Sequence, residues 1–145
     1  MDYNVILNNL PLYLNGLLVT IQLVLIALVS GFGLAVPLAL MAVSKNSYLR
    51  YPAKSYIYFF RGTPLLVQMF LLYYGMGQFE AIRESVFWML FKEAYWCSII
   101  AFALNTAGYT AEILRGSIEQ TPFGETEASY ACGMSKFTMY RRIIL

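Results

Sequence analysis

LNGLLVTIQLVLIALVSGFGLAVPLALMAV, residues 14–43, contains no charged side chain, and the charge-free stretch around it reaches from Tyr3 to Ser44. About 20 apolar residues suffice for a helix to cross the hydrocarbon core of a bilayer. A soluble chain of 145 residues has no core able to hide such a run, because a chain this small still exposes much of its surface to water. Residues 14–43 are therefore read as holding a first membrane span. Gly31, Gly33 and Pro37 inside it suggest a bend or a close helix contact.

The remainder points the same way. Hydrophobic residues make up 59% of the chain and charged residues 12%, about half the charged share of an ordinary soluble domain. A second span is expected over about 56–74 and a third over about 94–114. Both carry aromatics near their ends (Tyr56, Tyr58, Tyr73, Tyr74, Tyr95, Trp96), as interfacial belts do. Beyond Arg115 the chain turns polar and rich in small residues, so it is expected to leave the bilayer. The fold class that follows is all-α: a polytopic transmembrane helical protein, with residues 1–145 read as part of a single transmembrane domain.

Charge sets the direction. The first loop contains Lys45, Arg50 and Lys54 and no acid, and the tail holds Arg115, Lys136, Arg141 and Arg142. The second loop balances Arg83 and Lys92 against Glu80, Glu84 and Glu93. Basic residues collect on the cytoplasmic side, which places the first loop and the tail inside, the second loop outside, and the N-terminus outside. Met1 and Asp2 lead without a basic segment and the apolar run is long, so a cleavable signal peptide is not expected.

With two cysteines, Cys97 and Cys132, and no histidine, neither a zinc pattern nor a Ser/His or Cys/His catalytic set can be assembled. No catalytic residue, metal or resident cofactor is expected. Each cysteine reads as a small packing residue, and nucleic acid is not among the expected partners.

Two stretches stand apart. In Phe60-Arg61-Gly62-Thr63-Pro64, Thr63 is placed to cap a helix whose first position is Pro64. Arg61 would anchor at headgroup level, pair with a cytoplasmic acid, or meet substrate. In the stretch 105–116, Asn105, Gly108, Tyr109, Glu112 and Gly116 share one helical face. A carboxylate at membrane depth costs several kcal/mol unless it finds a partner or water. Two readings stay open for Glu112: an ion pair with Arg115 three residues on, or part of a polar lining, with Asn105 and Tyr109, for a cationic or zwitterionic solute.

The tail follows a third pattern. Thr121 before Pro122 reads as a helix start, Gly133 as its left-handed stop, and Ser135 as the cap of the next helix. Small residues at 128, 129, 131, 132 and 133 leave a short helix able to seat in a groove of a partner.

Glu127-Ala128-Ser129, then Gly133, then nine residues and Ile143-Ile144-Leu145 resemble the signature loop of permease subunits in bacterial ABC importers. Ser129 stands where that pattern has a second alanine, and the chain stops one residue short of its proline. The stretches 60–68 and 109–116 are similar to motifs of the polar amino acid branch, with the histidine/lysine/arginine/ornithine permeases most alike. The resemblance implies a type I importer fold of five spans, of which three are present here, the chain being truncated before the last two.

It further implies a multi-pass subunit of the bacterial inner membrane with a periplasmic N-terminus. It would be paired with an identical or homologous permease and surrounded by membrane lipid. A cytoplasmic ABC ATPase dimer would drive it, and a periplasmic solute-binding protein would supply it. ATP would be bound by the ATPase partner, since no GxxxxGK[ST] phosphate loop occurs in this chain. The loop over about 117–137, with Glu127, Ala128 and Gly133, would couple to that ATPase. Asn105, Tyr109 and Glu112 would bind substrate, and Arg61, Thr63, Pro64 and Arg115 would serve structure or gating. The implied mechanism is alternating access. An ion-coupled secondary carrier with Glu112 as ion site would show internal repeats, and none is visible. A non-transporting assembly subunit would not need the polar face at 105–112.

Overall fold

The computed structural model describes residues 9–144, with side chains from 9 to 142. The expected periplasmic N-terminus and the final Leu145 of the signature lie outside the described residues, as do the side chains of Ile143 and Ile144. Among the described residues there are helices and no strand. They are α1 (Leu10–Ala42), α2 (Ser47–Gly62), α3 (Leu65–Phe70), α4 (Glu80–Arg83), α5 (Trp88–Phe91), α6 (Ala94–Gln120), α7 (Phe123–Ala131) and α8 (Lys136–Met139). A π-helical segment at Leu71–Gly75 continues α3, a 3₁₀ turn follows at Met76–Gln78, and a second π segment, Tyr140–Ile144, continues α8.

Among the described residues, two helices are long and apolar enough to cross a membrane, α1 and α6. α1 runs without interruption through Pro37. A side chain at Gly33 would meet no atom within 4 Å, so the close contact considered for that glycine is not found. α6 starts where the third span was expected and continues six residues past Leu114, carrying Arg115 and Glu119 on the same helix as Glu112.

The second expected span is not one helix. α2 ends at Gly62, α3 begins at Leu65, and Thr63 between them is extended, with φ −111° and ψ 140°. The cause is local. A residue before proline is pushed out of the helical region, and Pro64 has no N–H to continue the ladder. The Thr63 N–H and hydroxyl both donate back to the Phe59 carbonyl, at 3.1 and 2.8 Å. Thr63 thus closes the helix behind it, and the new helix starts one residue later than the cap assignment implied. Thr121-Pro122 repeats the device: the Thr121 hydroxyl donates to the Ser117 carbonyl at 3.0 Å, and α7 starts at Phe123. Such back-bonding from threonine to the carbonyl four residues earlier favours bending or ending a helix.

The described chain divides into two compact units, residues up to Ser30 with Leu65–Ala103, and Gly31–Pro64 with the residues from Leu104 on. The first buries Ala27, Cys97, Ile99, Ala101 and Ala103, along with the amide of Gln68. The Cys97 thiol points to the Phe91 carbonyl at 3.3 Å. The second is built on a seam of small residues: Ala35, Ala39 and Ala42 of α1, Ala53 and Ile57 of α2, and Ala111 of α6, flanked by Leu38, Met41, Leu114 and Ile118. Helices in a bilayer gain nothing from hiding apolar side chains from lipid, so they associate by bringing backbones close across small residues. Cys132, expected to pack, is instead exposed at the end of α7.

Candidate functional site

The break at Thr63-Pro64 leaves the last carbonyls of α2 without helical partners, as every helix end does. Inside a membrane such groups are costly, and broken backbone persists only where protein or a water-filled path receives it. Here the polar face of α6 receives it. The Asn105 side-chain amide donates to the Phe60 carbonyl at 3.2 Å, and the Tyr109 hydroxyl to the Arg61 carbonyl at 3.4 Å. One turn earlier, the Tyr56 hydroxyl donates to the Leu104 carbonyl at 2.9 Å. Tyr56 is therefore half-buried against α6, although it read as an interfacial aromatic; no signal in the sequence separates those two uses of a tyrosine.

Gly108 makes the approach possible, because a Cβ there would stand 3.0 Å from the Phe60 Cβ. Gly116, on the same face, has only the flexible end of Gln120 nearby, at 3.9 Å. Of the two glycines on this face, Gly108 admits a close neighbour and Gly116 has none.

Glu112 joins the two elements electrostatically. Its carboxylate accepts two hydrogen bonds from Arg115, both 2.8 Å, and lies 3.2 Å from the Arg61 guanidinium. Arg115 also pairs with Glu119. Arg61 stands 5.8 Å above the Tyr109 ring, within range of a cation–π attraction. It sits in the last turn of α2, where a cation complements the negative end of the helix. A hollow of about 230 Å³ opens beside this cluster, with Lys54, Arg61 and Arg115 against one carboxylate, Glu112. Of the residues expected to meet solute, Asn105 and Glu112 are partly buried and engaged within the fold, and Tyr109 is 47% exposed. Among the described residues no cluster of three metal-ligating side chains occurs.

The tail forms the second part of the site. α7 ends in a Schellman motif: the Gly133 N–H donates to the Tyr130 carbonyl at 2.9 Å and the Met134 N–H to Ser129 at 3.0 Å. Gly133 has φ +72°, which a residue with a Cβ adopts only under strain. Ser135 then caps α8, accepting from the Thr138 N–H at 3.3 Å. Glu127 and Ala128 are exposed along with Phe123 and Tyr130, while Ser129 is buried and donates to the Glu125 carbonyl at 2.6 Å. The serine in the alanine position therefore keeps its hydroxyl inside the helix and presents nothing polar outward.

A family model described as "Binding-protein-dependent transport system inner membrane component" matches residues 31–145. The octopine transport system permease protein OccM of Rhizobium meliloti is 48% identical over 132 residues, 91% of this chain and 54% of that protein. The nopaline transport system permease protein NocM of Agrobacterium fabrum is 46% identical over 145 residues, 99% of this chain and 60% of its own length. The histidine/lysine/arginine/ornithine transport system permease protein HisM of Escherichia coli K12 is 42% identical over 131 residues, 90% of this chain and 55% of that protein. This chain therefore spans little more than half the length of these relatives. Among solved structures, an amino acid ABC transporter crystallised with histidines superposes with a TM-score of 0.80 at 32% identity, over 100% of this chain and 64% of that one.

Proposed function

Because the chain belongs to the family of binding-protein-dependent transport system inner membrane components, we propose that it is part of a permease subunit in an ATP-driven importer of polar, basic amino acids. The observation that carries this reading is α7: a short helix with Glu127 and Ala128 on its open side, stopped by Gly133 at φ +72°. A helix so short contributes little core of its own, and its exposed Phe123 and Tyr130 call for a partner. The partner proposed is a cytoplasmic ATPase dimer, which binds and hydrolyses the ATP. The permease itself performs no covalent chemistry.

The subunit would lie with its N-terminus and the 80–93 loop in the periplasm, facing a solute-binding protein, and pair with an identical or homologous permease. The names of the relatives, which transport octopine, nopaline or histidine, lysine, arginine and ornithine, support a basic amino acid or a derivative of one as solute. Motion of α7 would pass directly along the chain into α6, whose Asn105, Tyr109 and Glu112 hold the loose end of α2. These three residues would thereby act on the pathway by way of the break, and Tyr109 has surface left to touch a solute. Two guanidiniums already share Glu112, so a cationic solute would have to displace one of them.

The test is reconstitution of the full-length subunit with its co-purifying ATPase and binding protein in liposomes. ATP-dependent uptake of labelled arginine is expected. Uptake that runs on a proton or sodium gradient without ATP would refute the importer reading.

A further inference from the structure

Beside the seam of the second unit runs a trough of about 730 Å³ between the end of α1 and the segment that starts with α8. One wall is the stripe Phe32, Val36, Leu40 and Val43, repeating at the spacing of one helical face. Ser44, which follows Val43 in the chain, also lines it, and the segment that starts with α8 contributes Lys136 and Arg141 together with the rings of Phe137 and Tyr140. An apolar wall in one trough with two cations and a hydroxyl matches the two halves of a phospholipid.

We propose that this trough is a binding site for an anionic phospholipid. An acyl chain lies along the α1 stripe, and the phosphate sits between Lys136, Arg141 and the Ser44 hydroxyl. Charge complementarity selects this occupant. Basic pockets between membrane helices on the cytoplasmic side favour anionic headgroups, and Lys45 follows Ser44 with no acid between it and Lys54. A zwitterionic lipid would bring a choline or ethanolamine cation against the same two residues. The inference rests on the chain lying in a bilayer with the loop after α1 on the cytoplasmic side, as proposed above, and not on what it transports.

The experiment uses the full-length subunit in nanodiscs of phosphatidylglycerol or phosphatidylcholine with matched acyl chains, released into native mass spectrometry. Retention of phosphatidylglycerol over phosphatidylcholine is expected. A basic residue close to an anionic surface is worth roughly a factor of five, so Lys136→Gln with Arg141→Gln should cut phosphatidylglycerol retention about 30-fold. Phosphatidylcholine retention should not change. Leu40→Trp, which fills the wall, should reduce phosphatidylglycerol retention while leaving both cations in place. Equal retention of the two lipids, indifference to the charge variants, or indifference to Leu40→Trp would each overturn the site. Loss of the lipid on adding inorganic phosphate alone would also overturn it, as that marks a simple anion site. Uptake is not the readout, so failure here and failure of the importer reading remain separate.

Discussion

The Arg61 guanidinium lies 3.2 Å from the Glu112 carboxylate, whose oxygens also receive both 2.8 Å hydrogen bonds from Arg115. One anion thus joins the end of α2 to the helix that leads into α7. Glu112→Gln removes the anion and leaves two guanidiniums facing each other. The side chains are partly exposed, so the cost falls between an exposed pair and a buried one, about 1–3 kcal/mol. Uptake of arginine and of a neutral amino acid by the full-length subunit should fall in parallel, with a lower thermal midpoint. Adding Arg115→Gln should restore only part of the loss, because Arg61 stays unmatched. A loss confined to arginine would instead mean that Glu112 touches the solute.

Gly108 and Gly116 share a face of α6 and should respond in opposite ways. Alanine at either position improves helix propensity by up to about 1 kcal/mol. At 108 the new methyl would lie 3.0 Å from the Phe60 Cβ, an atom held next to the backbone that cannot swing aside. Overpacking of this kind costs about 1–3 kcal/mol. Gly108→Ala should therefore lower the unfolding midpoint of the full-length subunit in detergent, and Gly116→Ala should raise it or leave it. Equal responses would dissolve the close-approach argument.

Much of this arrangement was readable from residue types, because its causes are local. The charge-free stretch up to Ser44, the left-handed Gly133 and the Ser135 cap each depend on a few neighbouring residues. The polar face at 105–112 was readable as a face, but not the target it meets. Asn105 and Tyr109 bond carbonyls 45 and 48 residues away, and periodicity does not encode that distance. The two Thr-Pro pairs show the limit most sharply. A threonine before proline serves equally to open a helix ahead or to close one behind, and only the backbone distinguishes them. At 63 and 121 the hydroxyl turns backward. Tyr56 and the buried amide of Gln68 gave no warning at all.

The sidedness proposed for the loops can be tested at positions the structure leaves open. Lys45 is exposed just before α2 and Val86 is 89% exposed in the loop before α5. The native thiols differ in access, Cys97 being buried and Cys132 exposed, so Cys132→Ser is introduced first. An impermeant thiol reagent added to intact cells should then modify Val86→Cys and spare Lys45→Cys until the membrane is opened. Asn46 is avoided because its side chain caps α2 by accepting from the Tyr48 N–H at 3.0 Å, a contact whose loss costs about 1 kcal/mol. Labelling of both sites from outside would overturn the topology.

Gly133 separates a role inside the fold from a role at a partner. Its φ of +72° means that any Cβ there carries conformational strain of about 1–2 kcal/mol. A Cβ built at the site meets no atom within 4 Å, so strain is the whole intramolecular cost. Gly133→Ala and Gly133→Val should both insert in the membrane and unfold only slightly earlier than the parent. If α7 seats in a groove of an ATPase, valine adds bulk at the end of the docked helix, and alanine adds little. Solute-stimulated ATP hydrolysis in the reconstituted complex should therefore fall several-fold further for valine than for alanine. Equal, small losses that track the unfolding midpoint would assign Gly133 to the turn alone and remove α7 as the coupling element.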